Sequence, residues 1–203
     1  MSAPQPPHAP IQAVVIGCSA GGLEVLRMIL PALPDDFPVP IMVVAHVGAA
    51  SGGYLEDAIR RDCKMPVVEA EERQPVTPGI IHVAPPDYHL MVEADHTFSV
   101  STDPKVHNAR PSIDVLLISA AEAWGSGLAA VLLTGANADG ADGMAAVKAA
   151  GGVCLVQDPA TAFASEMPTA AIARGAVDRI LVPGRFAPVL AALCNPSRTA
   201  ELP

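Results

Sequence analysis

Short β-branched apolar runs alternate along this chain with Ala- and Leu-rich stretches of helical period. That alternation is the signature of βα units feeding a mostly parallel sheet. The first run, from Ile11 to Ile16, predicts a strand. A Gly-rich turn follows, then an amphipathic helix carrying Leu23, Leu26, Ile29 and Leu30 that stops at Pro31. A second strand is predicted from Ile41 to Ala45, followed by a small-residue loop and a helix around Tyr54 to Arg61. Val67 to Glu69 and Gly79 to Ala84 read as further short strands. His89 to Val92 and Thr97 to Val100 read as a hairpin turning near Asp95, which would make part of the sheet antiparallel. The remainder continues the alternation: a helix from Ser112 to Trp124, a strand from Leu128 to Leu133, a helix from Asp142 to Ala150, and a strand from Val153 to Val156. Pro168 then opens a helix through Ile172, and a strand from Asp178 to Val182 precedes a closing helix. The expected fold is α/β: a doubly wound, mostly parallel sheet with helices on both faces and a short antiparallel hairpin. One domain is expected over residues 11–194. The Pro-rich residues 1–10 predict a disordered tail, residues 195–203 a loose C-terminal one, and no internal repeat is visible.

Composition narrows the function classes. Of the 203 residues 51% are hydrophobic but only 3% aromatic, so the core is expected to be aliphatic. A formal charge of −9, with no cluster of Lys and Arg, argues against nucleic acid and against a basic membrane-binding face. The four cysteines, Cys18, Cys63, Cys154 and Cys194, never form a C-x-x-C pair, and most sit in or beside apolar runs, so reduced thiols are expected. The first ten residues lack the basic and apolar regions of a signal peptide, and no apolar stretch is long enough to span a bilayer. A cytoplasmic protein without membrane insertion is the expectation.

In an open α/β sheet, functional groups collect beyond the carboxyl ends of the strands. Three such ends carry chemistry here. The first strand runs into Gly17-Cys18-Ser19-Ala20-Gly21-Gly22, the second into His46, and the Leu128 strand into Thr134 through Gly140, a loop containing Asp139. Gly17, Ser19 and Gly21 fit G-x-S-x-G, a pattern suited to a nucleophile on a sharp strand-to-helix turn, although a plain packing turn has the same composition. Neither G-x-G-x-x-G nor Walker A spacing is met, which disfavours a nucleotide-binding turn. A serine hydroxyl needs a base, and His46 is placed to serve; His8 lies in the tail, and His107 in a polar loop that could border the cleft. His82, His89 and His96 recur every seven residues, but in a region that reads as strands, so no metal site and no cofactor are expected. For the acid, Asp139, Asp142 and Asp158 all lie just beyond strands. Asp142 suits a first-turn helix acid and Asp158, before Pro159, a turn former, leaving Asp139 slightly ahead.

The ordered set Ile16 to Gly22, Ala45-His46, Ala84 to His89, Arg110 to Asp114, Leu133 to Gly140, Gln157-Asp158 and Met167-Pro168 resembles the catalytic domain of CheB-type chemotaxis methylesterases. The resemblance covers roughly residues 11 to 182. It implies a serine hydrolase that removes methyl groups from glutamate γ-methyl esters on chemoreceptor cytoplasmic helices and releases methanol. It also implies a triad of Ser19, His46 and Asp139, which separates the three acids, and an oxyanion site or active-site wall at Ala20, Gly21 and Ala136. Ala20 stands where the family usually carries a hydroxyl residue, and Ala136 where it typically has Met. Ala136-Asn137-Ala138 also departs from the usual Gly-Asn, so substrate fit and rate are expected to differ more than reaction type. The family usually has a phosphorylatable receiver ahead of the esterase; only ten residues precede the first strand here, so the chain is expected to stand alone, with a separate protein as possible regulator. Receptor glutamine deamidation and a catalytically silent binding module are the alternative readings.

Overall fold

The computed structural model describes residues 10–46 and 54–195. The loop after the second predicted strand, most of both predicted tails, and His8 lie outside the described residues. Among the described residues, nine strands and six α-helices follow in chain order: β1 (Ala13–Cys18), α1 (Gly22–Ile29), β2 (Ile41–Ala45), α2 (Tyr54–Arg60), β3 (Val67–Glu69), β4 (Ile81–Val83), β5 (His89–Val92), β6 (Phe98–Ser101), α3 (Ile113–Trp124), β7 (Leu128–Leu132), α4 (Ala141–Ala149), β8 (Val153–Gln157), α5 (Glu166–Ala173), β9 (Arg179–Leu181) and α6 (Phe186–Cys194). Seven strands form one sheet in the order β3-β4-β2-β1-β7-β8-β9, and every pairing in it is parallel.

Every residue of β1, β2, β7 and β8 is buried, as expected of parallel strands covered on both faces. Side chains alternate across the sheet. Val14, Ile16 and Cys18 of β1 join one core with Leu26, Ile29, Phe186 and Leu190, from α1 and α6. Ala13 and Val15 join a second core with Leu116, Leu117, Met144 and Met167, from α3, α4 and α5. Helices thus cover both faces, and the doubly wound expectation holds.

Two expectations need correction. The hairpin β5–β6 is antiparallel but forms a separate two-stranded sheet, so among the described residues no part of the main sheet is antiparallel. Its apolar residues Leu90, Val92 and Phe98 bury against the α3 side of the second core instead of extending the strand ladder. β1 also sits two residues later than predicted, at Ala13–Cys18. Gly17 pairs with Val44 and Leu132, and Cys18 with Ala45, despite their weak strand preference, because the ladder with β2 carries the strand to its end.

Chain order reverses at β1. From that strand the chain builds outward through β2 to β4 and β3 on one side, and through β7 to β8 and β9 on the other. The crevice at the carboxyl ends of β1 and β7 is therefore the topological switch point, the general ligand position in such sheets.

Candidate active site

Ser19, His46 and Asp139 all lie at this switch point. The Ser19 amide donates to Thr134 O at 2.9 Å, tying the turn after β1 across the end of β7. Cys18 pairs with Ala45 in register, and its carbonyl accepts from the His46 amide at 3.1 Å, so the two residues that follow stand side by side. Gly21, at φ 76°, reverses the chain into α1 in a left-handed conformation that glycine adopts at little cost. A Cβ there would also fall 2.5 Å from Phe163 Cβ.

The His46 imidazole meets the Asp139 carboxylate with Nε2 to Oδ2 at 2.7 Å. Asp139 is wholly buried, and three further donors surround it. Ser112 Oγ donates to Oδ1 at 2.8 Å, the Asp114 amide to Oδ1 at 3.0 Å, and the Ile113 amide to Oδ2 at 2.8 Å. All three come from the N-terminus of α3, where unpaired amides and the helix dipole favour an anion. Burial works to raise the Asp139 pKa, but hydrogen bonds from His46, from the amides of Asp114 and Ile113 and from the Ser112 hydroxyl outweigh it and hold the pKa below the usual aspartate value. An ionised carboxylate only accepts, so the proton shared by the pair sits on His46 Nε2. Nδ1 is then left with its lone pair, the form a general base requires.

Gly17 explains how α3 comes so near. A Cβ at that position would stand 2.3 Å from Ile113 Cγ2, so only glycine at the end of β1 lets the helix start deliver Ser112, Ile113 and Asp114 to Asp139. These three positions were the part of the site that residue patterns did not single out for chemistry. The available signal was Ser112 as an N-cap, its side chain accepting from the Val115 amide at 3.4 Å, because a capped helix start is a natural seat for a carboxylate.

Asp142 and Asp158 are engaged elsewhere. Asp142 lies in the first turn of α4 and pairs with Arg174 at 2.6 Å; Asp158 caps a 3-10 turn by accepting from the Ala160 amide at 2.9 Å. Neither is brought to His46. The three histidines spaced by seven also part company. His82 accepts from the Thr77 amide at 3.2 Å and meets Phe98 edge-on, His89 accepts from the Ser112 amide at 3.2 Å, and His96 stacks on Trp124 at 4.7 Å. A different group, His107, Asp114 and Asp142, brings ligand-type atoms within 4.8 Å of one another. Protein partners account for it: Asp114 Oδ1 accepts from the Gly143 amide at 2.7 Å, and Asp142 already holds Arg174. Burial pushes the Asp114 carboxyl up to about 6 against the opposing Gly143 hydrogen bond, and the negative Asp139 adds to the rise.

Cys18 does not compete with Ser19 as a nucleophile. Burial and the nearby Glu24 push its thiol up to about 12, far from thiolate at neutral pH. Among the described residues the amides of Ala20 and Ala136 donate no hydrogen bond, leaving both free for an oxyanion. The loops bearing them are pinned together by Thr134, whose hydroxyl lies 2.8 Å from Ala20 O and accepts from the Ala164 amide at 2.9 Å. Thr134 N in turn donates to the buried Gln157 Oε1 at 2.9 Å. Ser19 and His46 open into a cleft of about 360 Å³ whose other wall includes Asp87, Lys105, His107 and Arg110.

A doubly wound domain that presents a hydroxyl, an imidazole and a buried carboxylate at its switch point has the architecture of a serine hydrolase. Comparison with known proteins narrows that class. The CheB methylesterase family model matches residues 14–190. Over 170 residues the chain is 46% identical to a putative protein-glutamate methylesterase/protein-glutamine glutaminase of Leptospira interrogans, covering 84% of this chain and 88% of that protein. It is 39% identical over 186 residues to a protein-glutamate methylesterase/protein-glutamine glutaminase of Carboxydothermus hydrogenoformans, covering 89% of this chain but 55% of that protein. The crystal structure of the Thermotoga maritima CheB methylesterase catalytic domain superposes with a TM-score of 0.87 at 36% identity, over 91% of this chain and 100% of that one. The chain belongs to the CheB methylesterase family. It spans most of the Leptospira relative and about half the length of the Carboxydothermus one. Among the described residues no helix is long and apolar enough to cross a membrane.

Proposed function

We propose that this chain hydrolyses glutamate γ-methyl esters on the cytoplasmic helices of methylated chemoreceptors, working in the cytoplasm. In this reading His46 Nδ1 takes the Ser19 hydroxyl proton as Oγ attacks the ester carbonyl carbon. Collapse of the tetrahedral intermediate breaks the bond to the methoxy oxygen, which leaves as methanol with the proton returned by His46. Water then attacks the glutamyl-serine ester, again losing a proton to His46, and releases the glutamate side chain and free Ser19. Asp139 keeps the imidazole in the Nε2–H tautomer and stabilises the cation formed in each half-reaction. The amides of Ala20 and Ala136 hold the oxyanion; alanine at both positions leaves those amides in place. The observation that carries the reading is the 2.7 Å contact of His46 with a buried carboxylate held by three other donors, beside Ser19.

Methanol release from methylated receptor fragments tests it. Wild type should release methanol, and Ser19→Ala should release none while keeping the wild-type melting temperature. Equal release by both proteins would remove Ser19 from the chemistry. The double name carried by the relatives favours a second activity at the same site, glutamine deamidation, in which ammonia leaves in place of methanol. Ammonia release from a glutamine-bearing receptor fragment tests that reading. Regulation by a separate protein fits the same proposal and would appear as a change in methanol release on its addition.

A further inference from the structure

The cleft wall facing Ser19 carries two basic side chains, Lys105 and Arg110, and one acid, Asp87, in a protein whose formal charge is −9. Neither basic residue has a carboxylate partner among the described residues, whereas Arg60, Lys148 and Arg174 are each ion-paired. Arg110 is also oriented in a particular way. Its Nη1 donates to Thr102 O at 2.8 Å and to Asp103 O at 3.0 Å, which uses both protons on that nitrogen and locks the guanidinium plane. Its Nε is buried and has no hydrogen-bond partner. Nη2 has no hydrogen-bond partner among the described residues, so it remains a charged donor for a carboxylate at the cleft wall.

We propose that Arg110 is a specificity-determining residue that receives a second, unesterified carboxylate of the substrate, with Lys105 adding to the local positive field. The proposal rests on the methylesterase reading above and names what that site selects: an ester flanked by an acidic side chain about one helical turn away. On a helix, side chains three or four residues apart stand about 5–6 Å apart. Ser19 and Arg110 line the same cleft of about 360 Å³. A substrate carrying glutamine at the flanking position would leave the guanidinium without a charged partner, and the discrimination would show in kcat/KM.

The test uses two sets of helical peptides, each with a single γ-methyl glutamate and with either glutamate or glutamine four residues before or after it. Wild type is expected to prefer the glutamate-flanked ester by about tenfold or more in kcat/KM, measured as methanol release. Arg110→Gln should bring that ratio close to one, and Lys105→Gln should lower it by a smaller factor. Because Arg110 also ties down Thr102 and Asp103, its loss can loosen the loop; a loosened loop slows both peptides together and leaves the ratio unchanged. A ratio that survives in Arg110→Gln, or a wild-type ratio near one, overturns the proposal while leaving the esterase reading intact. Methanol from neither peptide overturns the esterase reading, and this assignment with it.

Discussion

Replacing Asp139 by asparagine changes one atom, and the structure dictates why that atom matters. Both carboxylate oxygens face donors only: His46 Nε2–H and the Ile113 amide at Oδ2, the Ser112 hydroxyl and the Asp114 amide at Oδ1. An asparagine must turn its NH2 group toward one of these pairs. Directed at His46, it forces Nε2 to accept, moves the imidazole proton to Nδ1 and removes the lone pair that Ser19 needs. Directed at α3, it keeps the tautomer, because the Ser112 hydroxyl can rotate to accept, but it strands the Asp114 amide and no longer offsets the imidazolium charge. Either way one buried backbone amide loses its acceptor, a cost of about 1–3 kcal/mol in stability. A wrong tautomer in a serine triad lowers kcat by about 10⁴, which at 1.36 kcal/mol per decade is roughly 5 kcal/mol of transition-state stabilisation. Asp139→Asn is therefore expected to lose about three to four decades in methanol release while melting a few degrees lower. Asp142→Asn, which gives up only a half-exposed pair with Arg174, should stay within about twofold of wild type. Both rates come from single-turnover methanol release on one peptide ester, with urea titrations for stability. Retention of more than a tenth of the activity by Asp139→Asn, or an equal loss in Asp142→Asn, would refute the assignment of the acid.

Ser112→Ala removes both a helix cap and one hydrogen bond to an ionised carboxylate, so urea unfolding should report a loss of about 2–4 kcal/mol, with an activity loss well short of that for Asp139→Asn. Asp114 titrates near 6 in the folded chain and lower when unfolded, so between about pH 4 and 6 the folded state holds a proton the unfolded state has lost, and its contribution to stability falls as pH rises through that window. Asp114→Asn should remove that decline, worth roughly 1–3 kcal/mol once solvent screening is allowed for; an unchanged slope between pH 4.5 and 7 would count against the buried charge. Gly135→Ala would place a Cβ 2.4 Å from Met167 Cε and 3.0 Å from Ser19 Cβ, so esterase activity should fall by at least about tenfold, with a smaller loss in denaturant midpoint.

The placement of Ser19, His46 and Asp139 at one sheet edge was legible because β-strand periodicity and the switch-point rule need only element order, which short apolar runs reveal well. The same runs concealed strand ends. β1 is buried on both faces, so its pattern does not mark where pairing stops; Gly17 joined the ladder through β2 and β7, and Cys18 through β2. The hairpin was visible as a hairpin, but its attachment to α3 depends on contacts far apart in sequence. Least legible was which aspartate meets His46. Asp139, Asp142 and Asp158 have similar local contexts, and what separates them is three donors from a helix start some 25 residues upstream, reached only because Gly17 lacks a side chain. The ring nitrogen that meets Asp139 likewise has no sequence signature.

Ser19 acts as an activated nucleophile in the proposed chemistry, with His46 as its base. Intact-protein and peptide mass spectrometry after exposure to a fluorophosphonate tests it without assuming any substrate. A single adduct is expected, mapped to Ser19, that fails to form in His46→Ala. An unlabelled Ser19 in wild type, or labelling at the same rate without the imidazole, would contradict it.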